Sequence, residues 1–181
     1  MNQHELVSQQ VAGLYRIIPL RVLRKTPGVS FDLVPTEVLP HIDGIDRVLH
    51  DGGAVSPGPV GDVDRPWYMH PHQDDNLVIL HGVRFVEIYT KEHGRIENFD
   101  VTSQQIRQDG KVIHDGAAML VWPRGVFHRI RSDAKVGSAS LNFALRYEGF
   151  DIHTNINIYD LNAKTGSYTL IRAGYLDQPS G

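Results

Sequence analysis

The chain has 181 residues, 41% of them hydrophobic and none of them cysteine, and carries a formal net charge of -3. That length suits one domain spanning 1–181, with a core over about 60–148 and flanking strands from both termini. The charge supplies no basic field for nucleic acid or an anionic membrane, and the lack of cysteine removes disulfides, thiolate nucleophiles and zinc–thiolate centres, so any metal has N and O ligands and a small molecule is the expected partner.

The N-terminal stretch MNQHELVSQQVAGLYRIIPL has no basic segment leading into an apolar one. No run reaches the roughly 18 apolar residues of a membrane span, so a soluble, cytoplasmic protein is expected. Val7, Val11, Leu14 and Ile18 recur at helical spacing and predict a short amphipathic helix ahead of Pro19. Beyond it the period changes. The segments 29–38, 76–80, 83–90, 117–122, 126–131, 139–147, 154–161 and 167–172 are short, rich in β-branched and aromatic residues, and bounded by turn pairs such as Pro27-Gly28, Asp109-Gly110 and Thr165-Gly166. Many short strands without intervening helices predict an all-β antiparallel sandwich or barrel. The Gly- and Pro-rich stretch His50 to Pro66 reads as a surface connector or a lid over a site, and Asn98 to Gly116 as a polar hairpin turning at Asp109-Gly110.

The chemistry concentrates in two places. In MHPHQDDNLVILHG, Met69 to Gly82, two histidines stand two apart before an apolar strand; residues i and i+2 of a strand share a face, so His70 and His72 are expected to aim two imidazoles into one cavity. In GAAMLVWPRGVFHRIRS, Gly116 to Ser132, a Pro123-x-Gly125 turn opens a strand carrying His128, a third imidazole. Asp75 is the expected fourth ligand, with Asn76 the alternative, and such a set leaves one or two positions on a six-coordinate ion for water or substrate. Tyr68, two before His70, is a candidate acid. Asp74 and His81 read as solvated, and Trp122 and Phe127 as core. Arg84, Arg124 and Arg146 are candidates to bind a carboxylate.

Together the two motifs resemble those of the cupin superfamily: a His-x-His, an acidic residue and a closing glycine, then a glycine, a Pro-x-Gly turn and a histidine. The likeness covers Trp67 to Ser132. It implies a double-stranded β-helix, or jelly-roll barrel, with one open mononuclear divalent metal site at His70, His72, Asp75 and His128. The chain departs from the pattern where QDDN stands in place of the usual Glu and where Pro66 and Trp67 replace a glycine ahead of His70. With ferrous iron, the favoured ion, the resemblance implies dioxygenase-like chemistry on an oxygen-rich small molecule; with zinc, nickel or manganese it implies Lewis-acid catalysis. Two other readings stay open: a non-catalytic ligand-binding cupin, and a metal-free carbohydrate epimerase using a histidine base and a tyrosine acid. A homodimer is expected, with the N-terminal strand a natural partner.

Overall fold

The computed structural model describes residues 6–179. In chain order the strands are β1 (Gln9–Val11), β2 (Tyr15–Pro19), β3 (Arg21–Thr26), β4 (Val29–Leu33), β5 (Gly44–His50), β6 (Val55–Ser56), β7 (Trp67–Met69), β8 (Gln73–Gly82), β9 (Arg84–Tyr89), β10 (Glu97–Val101), β11 (Gln105–Gln108), β12 (Lys111–Asp115), β13 (Ala118–Trp122), β14 (Phe127–Ser132), β15 (Ser138–Arg146), β16 (Ile158–Asn162) and β17 (Ser167–Arg172). One α-helical turn, α1 (Ile152–Asn155), interrupts them. No helix among the described residues is long and apolar enough to cross a membrane.

Two antiparallel sheets build the body. The first runs β1-β2-β13-β8-β15-β5; the second runs β12-β11-β10-β9-β14-β7-β16-β17, with β6 also paired to β14. The core lies between them: Ile17, Leu77, Ile79 and Leu120 from the first sheet meet Val86, Ile88, Phe99 and Ile106 from the second. The first sheet is also covered on its outer face, where Ile18, Val78, Met119, Val121 and Leu145 pack with Val38 and Leu39. Cover on both faces explains why 77–79 and 118–122 are unbroken apolar runs rather than alternating ones.

The expected N-terminal helix is a β-hairpin. Gly13 turns the chain at φ 73, and β2 pairs with β13 from Pro19↔Ala118 to Arg16↔Val121. Ile17 faces the inter-sheet core and Ile18 the outer cluster, so both faces of a strand demand apolar residues and the spacing mimics a helix. The predicted strand 29–38 ends at Leu33 and gives way to a 3₁₀ turn, Thr36–Val38, after Pro35. The predicted strand 154–161 begins only at Ile158, because Asp151 caps α1 by accepting from the His153 backbone N–H at 2.9 Å. The hairpin at Asp109-Gly110 forms as expected, with φ of 48 and 77 at its two central residues.

Gly82, closing β8, has φ 72, and a Cβ there would stand 2.1 Å from the Gly137 carbonyl oxygen. Gly110 has φ 77 and open space around it. Gly82→Ala should therefore destabilise by about 2 kcal/mol or more, and Gly110→Ala by about 1 kcal/mol. Urea unfolding midpoints of the two variants check this, and equal losses would show that the close approach to Gly137 is not what fixes Gly82.

Candidate active site

The His-x-His segment is not a strand. β7 ends at Met69 in the second sheet and β8 begins at Gln73 in the first, so residues 70–72 form the corner by which the chain changes sheets. The corner is pinned from both sides: the Gly125 N–H donates to His70 O at 2.8 Å and the Tyr147 N–H to His72 O at 2.9 Å. Strand alternation does not apply across it. His70 turns inward and is buried, whereas His72 turns outward beside Gly149, outside the cluster its spacing predicted.

Past the corner, alternation resumes. Gln73, Asp75 and Leu77 of β8 face a cavity, and Asn76, fully buried, points the other way and donates to Phe143 O at 2.7 Å. Asp75 rather than Asn76 thus stands at the site. From the second sheet, β14 brings His128 and Ile130, and Tyr68 sits opposite His128 in the β7–β14 ladder. His70 Nε2 lies 3.3 Å and His128 Nε2 3.9 Å from Asp75 Oδ2, and the two imidazole centroids are 4.7 Å apart. The Tyr68 ring is 5.8 Å from that of His128, and the Trp122 ring is 5.2 Å from it on another side.

Hydrogen bonds fix each group's direction. Gln73 Nε2 donates to Asp75 Oδ1 at 2.9 Å and Asn142 Nδ2 to the same oxygen at 2.8 Å, which leaves Oδ2 for the imidazoles. His70 Nδ1 bonds the Asn155 carbonyl, and His128 Nδ1 the Val126 carbonyl at 3.3 Å, so both rings present Nε2 to the centre. Burial disfavours charge on His70, yet the adjacent Asp75 carboxylate, helped by the Asn155 carbonyl and by Asp46, outweighs it and raises the pKa. Burial likewise works against the charged Asp75, but His70 holds its carboxyl well below the usual range. His128 is lowered to about 4 by burial and by the charge on His70. The proton is thus favoured on one imidazole and disfavoured on its neighbour, a division that equips the pair for acid and base roles.

The cavity is about 360 Å³. Trp122 Nε1 and Asn155 Oδ1, both of lining residues, are buried without a hydrogen-bond partner, one a donor and the other an acceptor. Arg84 and Arg146 also line it; Arg124 does not, its guanidinium lying 4.1 Å over the Tyr147 ring. His81 is exposed at the far end of β8. Asp74, not on the cavity, accepts from the Arg124 N–H and the Tyr147 hydroxyl, both at 2.8 Å. Phe127 belongs to a separate aromatic cluster with Trp67 and Tyr159. Gln73, Asn142, Asn155 and His50 were not anticipated. For Gln73 the available signal was its two-residue offset from Asp75, and for Asn142 a lone amide inside an apolar strand. Asn155 arrives on α1 from another part of the chain and had no local signal.

No known family profile and no curated protein matches the chain. Solved structures do match its fold. A dTDP-sugar isomerase from Desulfovibrio desulfuricans G20 aligns over 80% of this chain and 83% of its own, with TM-score 0.56 and 14% identity. QdtA, a sugar 3,4-ketoisomerase from Thermoanaerobacterium thermosaccharolyticum, aligns over 78% and 85%, with TM-score 0.53 and 12% identity. The RmlC epimerase of Mycobacterium tuberculosis aligns over 78% and 68%, with TM-score 0.53 and 11% identity. The chain shares the double-stranded β-sheet fold of these proteins. As the resemblance implied, the fold brings the two motif segments to one cavity from facing sheets.

The raised pKa of His70 rests mainly on Asp75, which gives a direct check in chelator-treated protein. Histidine ¹⁵N spectra should show His70 titrating above the ordinary value of about 6.5 and His128 below it. Asp75→Asn should lower the His70 pKa, since the largest favourable charge is removed while the burial stays. A His70 titration unmoved by the substitution would refute the coupling.

Proposed function

We propose that this protein is a cupin isomerase or epimerase that moves a proton on a small, hydroxyl-rich carbonyl compound, a keto sugar, with His128 as base and His70 as acid. The observation that carries this reading is the pair of imidazoles 4.7 Å apart on the wall of one cavity, one of them ion-paired to a buried carboxylate. His128 Nε2 takes the proton from the carbon next to the carbonyl. The C–H electron pair moves into the new carbon–carbon double bond, and the carbonyl oxygen accepts the His70 proton. The enediol then collapses: in isomerisation His128 returns its proton to the adjacent carbon and His70 recovers one from oxygen, whereas in epimerisation Tyr68 gives its proton to the opposite face of the first carbon, His70 recovers one from oxygen, and His128 and Tyr68 are reset by proton exchange with solvent. Burial raises the Tyr68 hydroxyl pKa against a partly opposing Ser56 hydrogen bond, so Tyr68 stays protonated and serves as a donor across the cavity. Trp122 Nε1 and Asn155 Oδ1 are available to sugar hydroxyls. The fold neighbours lend support: a mutant of QdtA has been solved with TDP-4-keto-6-deoxyglucose.

A second reading is favoured by a specific observation. One ligand atom each from His70, Asp75 and His128 lie within 4.8 Å of one another. Two imidazoles oriented by backbone carbonyls and a carboxylate oriented by two amides are a donor set that fits a divalent cation, iron, zinc, nickel or manganese. Bound there, the ion would polarise a carbonyl or, as ferrous iron, support the dioxygenase-like chemistry expected from the sequence.

One experiment separates these. With TDP-4-keto-6-deoxyglucose as probe in D₂O, proton NMR should show loss of the C–H signals flanking the ketone, undiminished in metal-stripped protein. His128→Gln should slow the exchange at least about 100-fold. Elemental analysis on the same samples tests the second reading, which expects about one equivalent of metal, lost in His70→Ala and His128→Ala and kept in His72→Ala. Ligand binding without any exchange would leave a binding protein.

We also propose a homodimer, through the β3–β4 hairpin rather than an N-terminal strand alone. The hairpin exposes Val22, Leu23, Val29 and Phe31, the last 58% exposed, beside Leu80 on the first sheet. Such a patch is characteristic of an interface. Sedimentation should give a dimer for the native chain and a monomer for Phe31→Asp; a native monomer overturns this assignment.

A further inference from the structure

Arg84 is the largest fully buried side chain, 1% exposed, and no carboxylate lies within 4.0 Å of it among the described residues. Its Nε donates to Ser138 Oγ at 2.9 Å and its Nη2 to Val48 O at 3.1 Å. No other acceptor among the described residues is bonded to it, so Nη1 is uncommitted. The guanidinium lines the cavity that holds the two histidines. Around it stand neutral groups: Val48, and His50, whose Nδ1 meets Ser132 Oγ at 2.9 Å while Ser132 Oγ meets Ser138 Oγ at 2.7 Å. Of the two acids on the cavity wall, Asp75 is engaged by the imidazoles and Asp46 accepts from Asn142 Nδ2. A buried cation without a counter-ion is costly, and the cost is relieved when an anion enters.

Position adds to this. In the β9–β14 ladder Arg84 pairs with Ser132 and Ile88 with His128. Four residues separate the two levels, about 13 Å of strand, with Ile130 lining the wall between. The cavity thus has a proton-transfer end and a cationic end.

We propose that Arg84 is an anion subsite, so that the substrate carries a carboxylate or phosphate held there while its carbonyl lies at His70 and His128. The substrate class becomes an acidic or phosphorylated keto sugar, a refinement that rests on the proton-transfer reading for its reacting end alone. The planar fork suits either anion bidentately. Arg146, at the cavity wall with its guanidinium 4.4 Å from the Phe150 ring, is not required.

The test is calorimetric binding with three probes built on one hexose ring: D-glucuronate, D-glucose 6-phosphate and D-glucose. Native protein should take at least one of the two anions tenfold or more tighter than glucose; whichever it is names the anionic group. Arg84→Met should abolish the difference, and Arg146→Met should leave it within threefold. Should Arg84→Met fail to fold by circular dichroism, Arg84→Lys, which keeps the charge without the fork, must reduce the preference at least threefold. Equal affinity of native protein for all three probes, or a preference that survives either Arg84 substitution, overturns the proposal. His128→Gln should retain the anion preference while lacking proton exchange, so the failure of this assignment and the failure of the proposed chemistry are distinguishable.

Discussion

The burial of one carboxylate between two imidazoles organises this molecule's interior. Asp75 is nearly inaccessible to water and survives as an anion because each oxygen is accounted for: two side-chain amides hold Oδ1, and two histidines face Oδ2. An unpaired buried carboxylate would cost several kcal/mol, so the amides from β8 and β15 and the rings from the corner and β14 depend on one another. The same arrangement divides protons unequally between the two rings. Chemistry and stability therefore draw on a single set of contacts.

Closure of the sandwich makes those contacts possible. Asp75, Gln73 and Asn142 belong to the first sheet, while His128 and Tyr68 belong to the second. The polar groups occupy inward positions at one region of the sandwich, and Leu77 and Ile130 carry the lining onward as apolar wall. The cavity is where two inner faces, elsewhere filled by Ile, Leu, Val and Phe, are left open by shorter or polar side chains.

The strand pattern was legible because β-branched and aromatic runs bounded by Gly, Pro and Asp pairs have few alternatives to a sheet. Tyr68, His70, Asp75 and His128 were legible because they stand within two compact motifs. His72 was misread since spacing alone does not reveal a change of sheet between one histidine and the next; Pro71, between them, is the residue that marks it. The N-terminal helix was misread since a strand buried on both faces imitates helical spacing. β5 and β7 went unanticipated, the first half-exposed with charges among its apolar residues and the second only three residues long. Asn155 and the pairing of Ser138 with Arg84 depend on contacts between segments more than 50 residues apart, where local chemistry leaves no trace.

The corner at 70–72 joins the two halves of the molecule, and its backbone is tied to the turn before β14 on one side and to the end of β15 on the other. His70 thus has no position of its own until both halves have docked. A partly assembled chain, with one sheet formed and the other loose, would hold the right residues and no working arrangement of them. Competence is an all-or-none property of the completed fold, lost in the same cooperative step that opens the sandwich.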